Sequence, residues 1–83
     1  MTSMPLDPGE ARFTPAADGS PVIEASGEVD VATAPDLAAA LDAMIGSGAP
    51  NIVVDMEQVS FIDSSGLGTL VAAFIKLRRR TPP

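Results

Sequence analysis

"NIVVDMEQVSFIDSSGLGTLVAAF", residues 51–74, changes rhythm half-way along. Ile52, Val53 and Val54 are three consecutive β-branched residues, which predicts a strand over Asn51–Met56 buried on both faces. From Leu67 onward the period becomes helical, with Leu67, Leu70, Val71, Phe74 and Ile75 sharing one face. A helix therefore begins at or just after Ser64 and Ser65. These two serines sit at the junction, between Asp63 and the glycines Gly66 and Gly68.

Upstream lies "GEVDVATAPDLAAALDAMIGSG", residues 27–48. Ala34, Leu37, Ala38, Leu41, Met44 and Ile45 recur at three- and four-residue spacing, which gives a helix one apolar face. Thr33 with Asp36 three positions on resembles a capping box. Pro35 is tolerated in the first turn, and Gly46 and Gly48 stop the helix. Further back, Pro21–Ser26 and Glu10–Thr14 read as strands joined by an Asp18-Gly19 turn, a hairpin. Strand, helix and strand in that order predict a right-handed parallel crossover. The expected fold is α/β: an N-terminal β-hairpin, then β-α-β-α, with a mixed sheet and the helices packed on one face. Residues 1–9 read as a flexible N-terminus, 10–80 as a single domain and 81–83 as the C-terminal end.

At 83 residues the chain is one domain, and a chain of this size buries only about 60% of its unfolded surface. Cysteine is absent, which removes disulfides and thiolate metal sites; histidine is absent too, which removes the commonest general base. "MTSMPLDPGE" has no basic start and no apolar core of a secretory signal. The nearly apolar run Leu67–Ile75 is far short of the roughly 20 residues of a membrane span. A soluble, cytoplasmic protein without membrane insertion is expected. The net charge is −6, and all eleven acids lie at or before Asp63, whereas Lys76, Arg78, Arg79 and Arg80 cluster at the end. An acidic body argues against nucleic-acid binding. The bases read as complements of a helix dipole or as a solvated end, with a contact patch as the alternative.

A catalytic role for the serines needs a base to take the hydroxyl proton. No histidine exists, and Lys76 would stand about 18 Å from Ser64 along the helix at about 1.5 Å per residue. Neither a G-x-S-x-G elbow nor a P-loop occurs, and no cofactor is called for. As a cap, Asp63, Ser64 or Ser65 can each accept a first-turn N–H, worth about 1 kcal/mol. That leaves Gly66 and Gly68 unexplained, since glycine in a helix costs up to about 1 kcal/mol relative to alanine. Close approach by a partner or by another part of the backbone accounts for them, and a mobile loop is the alternative.

The segments Gly27-Glu28-Val29-Asp30 and Asp63-Ser64-Ser65-Gly66-Leu67-Gly68, in this order and at this separation, resemble the STAS domains of bacterial anti-sigma factor antagonists. The resemblance covers about Glu10 to Leu77. It implies a binding protein, not an enzyme, whose Ser64 is phosphorylated by its partner, an anti-sigma factor serine kinase that supplies the ATP. The unphosphorylated protein holds the anti-sigma factor and frees the sigma factor, phosphorylation releases it, and a phosphoserine phosphatase resets the switch. By the same resemblance Asp63 orients the loop or contacts the kinase, and Asp30 lies near it. Ser65 caps the helix, Gly66 and Gly68 permit close approach, and Leu67 is a contact or core residue. A second reading is an unphosphorylated STAS scaffold, a subunit of a transport or signalling complex. Members of the family usually continue into another strand and a final helix, so a C-terminally shortened domain with an unpaired strand edge is expected. A second copy of the chain, forming a homodimer, is one candidate to cover that edge.

Overall fold

The structure, a computed structural model, describes residues 11–80. The segments 1–9 and 81–83, read above as chain ends, lie outside the described residues. The element order is β1 (Ala11–Pro15), β2 (Val22–Val29), α1 (Ala34–Gly46), β3 (Val53–Ile62) and α2 (Ser64–Arg80).

The three strands form one sheet in the order β1-β2-β3. β1 and β2 make the expected antiparallel hairpin, with Phe13 opposite Ala25. Its turn is closed by Asp18, whose carboxylate accepts the Ser20 hydroxyl at 2.6 Å and the Ser20 N–H at 3.0 Å. Those two hydrogen bonds, the hydroxyl first, hold the Asp18 carboxyl below its ordinary pKa. β2 and β3 run parallel across the α1 crossover, pairing Ile23 with Val54 and Val29 with Ile62.

The core fills the space between one sheet face and the two helices. Ile23, Val29, Leu37, Leu41 and Ala73 are its buried centre, with Phe13, Val54, Val59, Ile62 and Leu70 packed around them. Leu37 and Leu41 deliver the face of α1 read from its spacing. Glu24, on the opposite sheet face, is exposed.

Three local expectations change. β3 is ten residues long, not six, because Glu57, Gln58 and Ser60, with Val59 among them, stay in the ladder through two irregularities, between Glu24/Ser26 and Gly27/Glu28 on β2. Gly27, at the second irregularity, has φ +86°, a conformation that favours glycine. β3 is also not buried on both faces: none of its residues is fully buried and Val53 is 54% exposed. α1 has no capping box, since Thr33 makes no side-chain bond into its first turn. Its hydroxyl is used backwards, donating to the Glu28 carbonyl.

The rotation of α2 differs most. Its inward residues are Gly66, Leu70, Ala73 and Leu77, while Leu67, Val71, Phe74 and Ile75 from the expected face are exposed. The helix is apolar on two neighbouring stripes, and its first turn selects between them. Gly66 seats on the core so closely that a Cβ there would lie 2.6 Å from Val29 Cγ1 and 2.7 Å from Ile62 Cγ1. That seat fixes which stripe faces the sheet.

Candidate functional site at the start of the second helix

Asp63 joins β3 to α2 in one residue, and four bonds hold it there. Its backbone N–H donates to the Val29 carbonyl at 3.0 Å, and its own carbonyl accepts the Leu67 N–H at 3.0 Å. Its carboxylate oxygen Oδ1 accepts the N–H of Ser65 at 2.8 Å and that of Gly66 at 3.2 Å. Asp63 is therefore the N-cap, satisfying first-turn donors and placing negative charge at the positive end of the helix dipole. The cap expected from Ser65 goes to Asp63 because only the residue before the first helical turn points its side chain back at those N–H groups.

With the cap assigned, the serines are released for other uses. Ser64 is the first helical residue, it is exposed, and its hydroxyl makes no hydrogen bond among the described residues. Ser65 is half-buried, and its carbonyl accepts the Thr69 hydroxyl at 3.0 Å. Leu67 and Gly68 are exposed beside Ser64, and a Cβ at Gly68 would meet nothing within 4 Å. Gly66 is buried, so the close approach read from its sequence is made by Val29 and Ile62 of the chain's own core.

The second motif arrives through the same contacts. Val29 ends β2, and its carbonyl and side chain receive Asp63 and Gly66, so Asp30 begins its loop directly beside the serine turn. The Asp30 carboxylate is spent locally: Oδ1 accepts the N–H of Ala32 at 3.0 Å and that of Thr33 at 3.1 Å. The Thr33 hydroxyl in turn accepts the Asp30 N–H at 3.0 Å and donates to the Glu28 carbonyl at 2.8 Å. The loop before α1 is thus stitched closed. Val29 and Thr33 are the positioning residues that sequence reading missed. The position of Val29 inside Gly-Glu-Val-Asp and the spacing of Thr33 three residues after Asp30 were the available signals.

Beyond these loops a shallow groove runs between the helices, lined by Ala38, Leu41, Ser65, Gly68, Thr69 and Ala72. Lys76 closes its far end, pairing with Asp42 at 2.8 Å. Both ends of that pair are more than half exposed, so it is worth about 0–1 kcal/mol. Arg78 lies over the Phe74 ring at 5.7 Å. No helix among the described residues is long and apolar enough to cross a membrane.

A family model described as "Mlab, STAS domain" matches residues 13–82. The chain belongs to the STAS domain family. Among curated proteins, this STAS domain is 39% identical over 57 residues to an anti-sigma-B factor antagonist of Staphylococcus aureus (strain NCTC 8325 / PS 47), covering 69% of the chain and 53% of the relative. It is 40% identical over 55 residues to the anti-sigma-B factor antagonist of Listeria monocytogenes, covering 66% of the chain and 48% of the relative. The chain spans about half the length of the curated relatives it matches. Among solved structures, an anti-sigma factor antagonist from Mycobacterium paratuberculosis superposes with a TM-score of 0.76 at 35% identity, over 84% of this chain and 61% of that one. The anti-sigma factor antagonist SpoIIAA, in its unphosphorylated form, shares the fold with a TM-score of 0.64 at 22% identity, over 86% of this chain and 66% of that one.

Proposed function

We propose that this STAS domain is an anti-sigma factor antagonist switched by phosphorylation of Ser64, and so a regulator of sigma-factor-dependent transcription. The observation that carries the reading is the state of the Ser64 hydroxyl: exposed, unbonded among the described residues, and held on a rigid turn by a cap that does not use it. A kinase can take that hydroxyl without dismantling any hydrogen bond of the fold. The names of the curated relatives, anti-sigma-B factor antagonists, support the partner class.

The physics of the switch follows from position. A phosphoserine adds about −1.5 to −2 charges at neutral pH. At the first residue of α2 the helix dipole offsets part of that charge by about 0.3–1 kcal/mol, so the domain stays folded. In an interface that accepts a neutral hydroxyl, the same group has to be desolvated beside the Asp63 carboxylate. About 1.4 kcal/mol of such cost already lowers affinity tenfold. The partner, an anti-sigma factor with serine kinase activity, brings the ATP, and a phosphoserine phosphatase reverses the mark. Ser64, Leu67 and Gly68 form the exposed contact surface, with Asp63, Ser65 and Asp30 at its edge and Gly66 beneath it.

Incubation with a cognate anti-sigma kinase and ATP should place one phosphate on Ser64, located by mass spectrometry and absent from Ser64→Ala. Ser64→Asp should weaken binding to the unmodified partner by at least about tenfold. Equal labelling of Ser64→Ala sinks the assignment of the acceptor. Undiminished binding by Ser64→Asp favours the scaffold reading, in which the same surface holds a partner without a phosphate switch.

A further inference from the structure

We propose that Val31, at the apex of the turn between β2 and α1, is an apolar anchor by which the anti-sigma partner holds this domain. The proposal rests on the partner proposed above and adds to that surface a contact that does not depend on the Ser64 hydroxyl.

Asp30, Val31, Ala32 and Thr33 form one tight turn. The Asp30 carbonyl accepts the Thr33 N–H at 3.1 Å and the Ala34 N–H at 2.7 Å. Asp30 Oδ1 accepts the N–H groups of Ala32 and Thr33, and the Thr33 hydroxyl ties the Asp30 N–H to the Glu28 carbonyl. Val31 stands at the second position of this turn, 74% exposed, the largest exposed fraction among the large apolar side chains described.

The turn itself does not account for that side chain. Tight turns draw Gly, Pro, Asn, Asp and Ser, each for a backbone or hydrogen-bonding reason, and valine offers neither. Asp30 and Thr33 already supply the chemistry of this turn. A lone exposed valine on a strand or helix face is ordinary. At the apex of a braced turn, however, its two methyl groups project where only solvent or a partner can touch them. One residue that breaks the local rule among neighbours that obey it marks a functional position.

Position supplies the partner. β2 and β3 run parallel and end side by side, with Val29 opposite Ile62. The Val31 turn and the Ser64 turn therefore rise from the same end of the sheet, tied by the bond from the Asp63 N–H to the Val29 carbonyl. Val31 and Ser64 each lie two residues beyond that pair. Their Cα atoms are at most about 20 Å apart, at about 3.8 Å per residue and about 4.8 Å between strands. An interface of ordinary size, about 800 Å² per partner and so roughly 30 Å across, covers both. β2 is the central strand of the sheet, so this turn stands away from the β3 edge.

The chemistry of the contact follows from the side chain. Val31 makes no hydrogen bond through its methyl groups, so its seat on the partner is an apolar pocket. The turn is closed before docking, so little ordering opposes the contact, and burial of one valine suffices for at least about tenfold in affinity. Val31 and Ser64 thus divide the surface, the valine supplying affinity and the serine the switch.

The test uses the whole 83-residue chain and the cognate anti-sigma kinase. Val31→Ser should weaken binding at least about tenfold, equally in the parent chain and in the Ser64→Ala background, with an unchanged melting temperature. As a kinase substrate, Val31→Ser should show a raised KM and the parent kcat, the sign of lost uniform binding. Val53→Ser, the same change on a 54% exposed valine at the start of β3, should bind like the parent. Undiminished binding by Val31→Ser, an equal loss by Val53→Ser, or a lowered kcat each overturn the anchor while Ser64 still takes its phosphate. If the parent binds but Ser64 stays unlabelled, the switch fails, and a tenfold loss for Val31→Ser in the Ser64→Ala background still upholds the anchor. A parent chain that does not bind the kinase overturns both.

Discussion

The two loops that lead into helices use the same ingredients in opposite ways. Before α1, an aspartate and a hydroxyl residue three positions later bind each other and the backbone: the Asp30 carboxylate with Ala32 and Thr33, the Thr33 hydroxyl with Asp30 and Glu28. Before α2, the aspartate alone caps the helix, and the adjacent Ser64 hydroxyl is left without a bond among the described residues. The first loop is a brace and the second a platform. What separates them is where the aspartate sits relative to the helix. Asp63 immediately precedes the first helical residue and its carboxylate reaches the first-turn donors, whereas Asp30 lies four residues before Ala34 and its carboxylate closes only its own turn.

The brace and the platform are joined at Val29, so the sharpest way to break the comparison is to push them apart. Gly66→Ala sets a methyl group 2.6 Å from Val29 Cγ1 and 2.7 Å from Ile62 Cγ1. Overpacking of this kind costs about 1–3 kcal/mol, of which alanine's better helix propensity returns up to about 1 kcal/mol. We expect a net loss of about 1–2 kcal/mol by denaturant titration, with weaker partner binding as Ser64 is displaced. Unchanged stability would mean that α2 is not seated by Gly66. Next comes Thr33→Val, which keeps the shape and removes the hydroxyl. The Asp30 N–H and the Glu28 carbonyl then lose a partner in a partly buried site, at an expected cost of about 1 kcal/mol.

The contrast between the loops also shows what was legible in the sequence. The hairpin, the crossover and α1 follow from period alone, because Leu37 and Leu41 recur on one face and Asp18-Gly19 marks the turn. β3 beyond Met56 was not legible: Glu57, Gln58 and Ser60 break the alternation, and only pairing with β2 through two irregularities keeps them in the strand. The inward face of α2 was not legible either. Leu67, Val71 and Phe74 outweigh Gly66, Leu70 and Ala73 in hydrophobicity, and a seat against Val29, not apolar bulk, decides the rotation. The positions of Ser64, Asp63 and Asp30 were readable from two short motifs. The contacts that bring those motifs together, through the carbonyl and side chain of Val29, join residues more than thirty positions apart and leave no local pattern.

Two smaller perturbations separate the cap from the hydroxyl it frees. Asp63→Ala removes the acceptor for the Ser65 and Gly66 N–H groups and should cost about 1 kcal/mol, while Asp63→Asn, itself a good cap, should cost only a few tenths. A difference between those two variants measures the cap itself, because both remove the charge. Ser64→Ala is the smallest. Its hydroxyl is exposed and bonded to nothing described, so stability should stay within about 0.5 kcal/mol of the parent chain. That near-zero value is the informative outcome: a hydroxyl that contributes nothing to the fold is available for chemistry done from outside. If Ser64→Ala instead lost 1 kcal/mol or more, as Thr33→Val is expected to, Ser64 would belong to a brace like Thr33. Its phosphorylation would then unfold the turn instead of changing only the surface a partner meets.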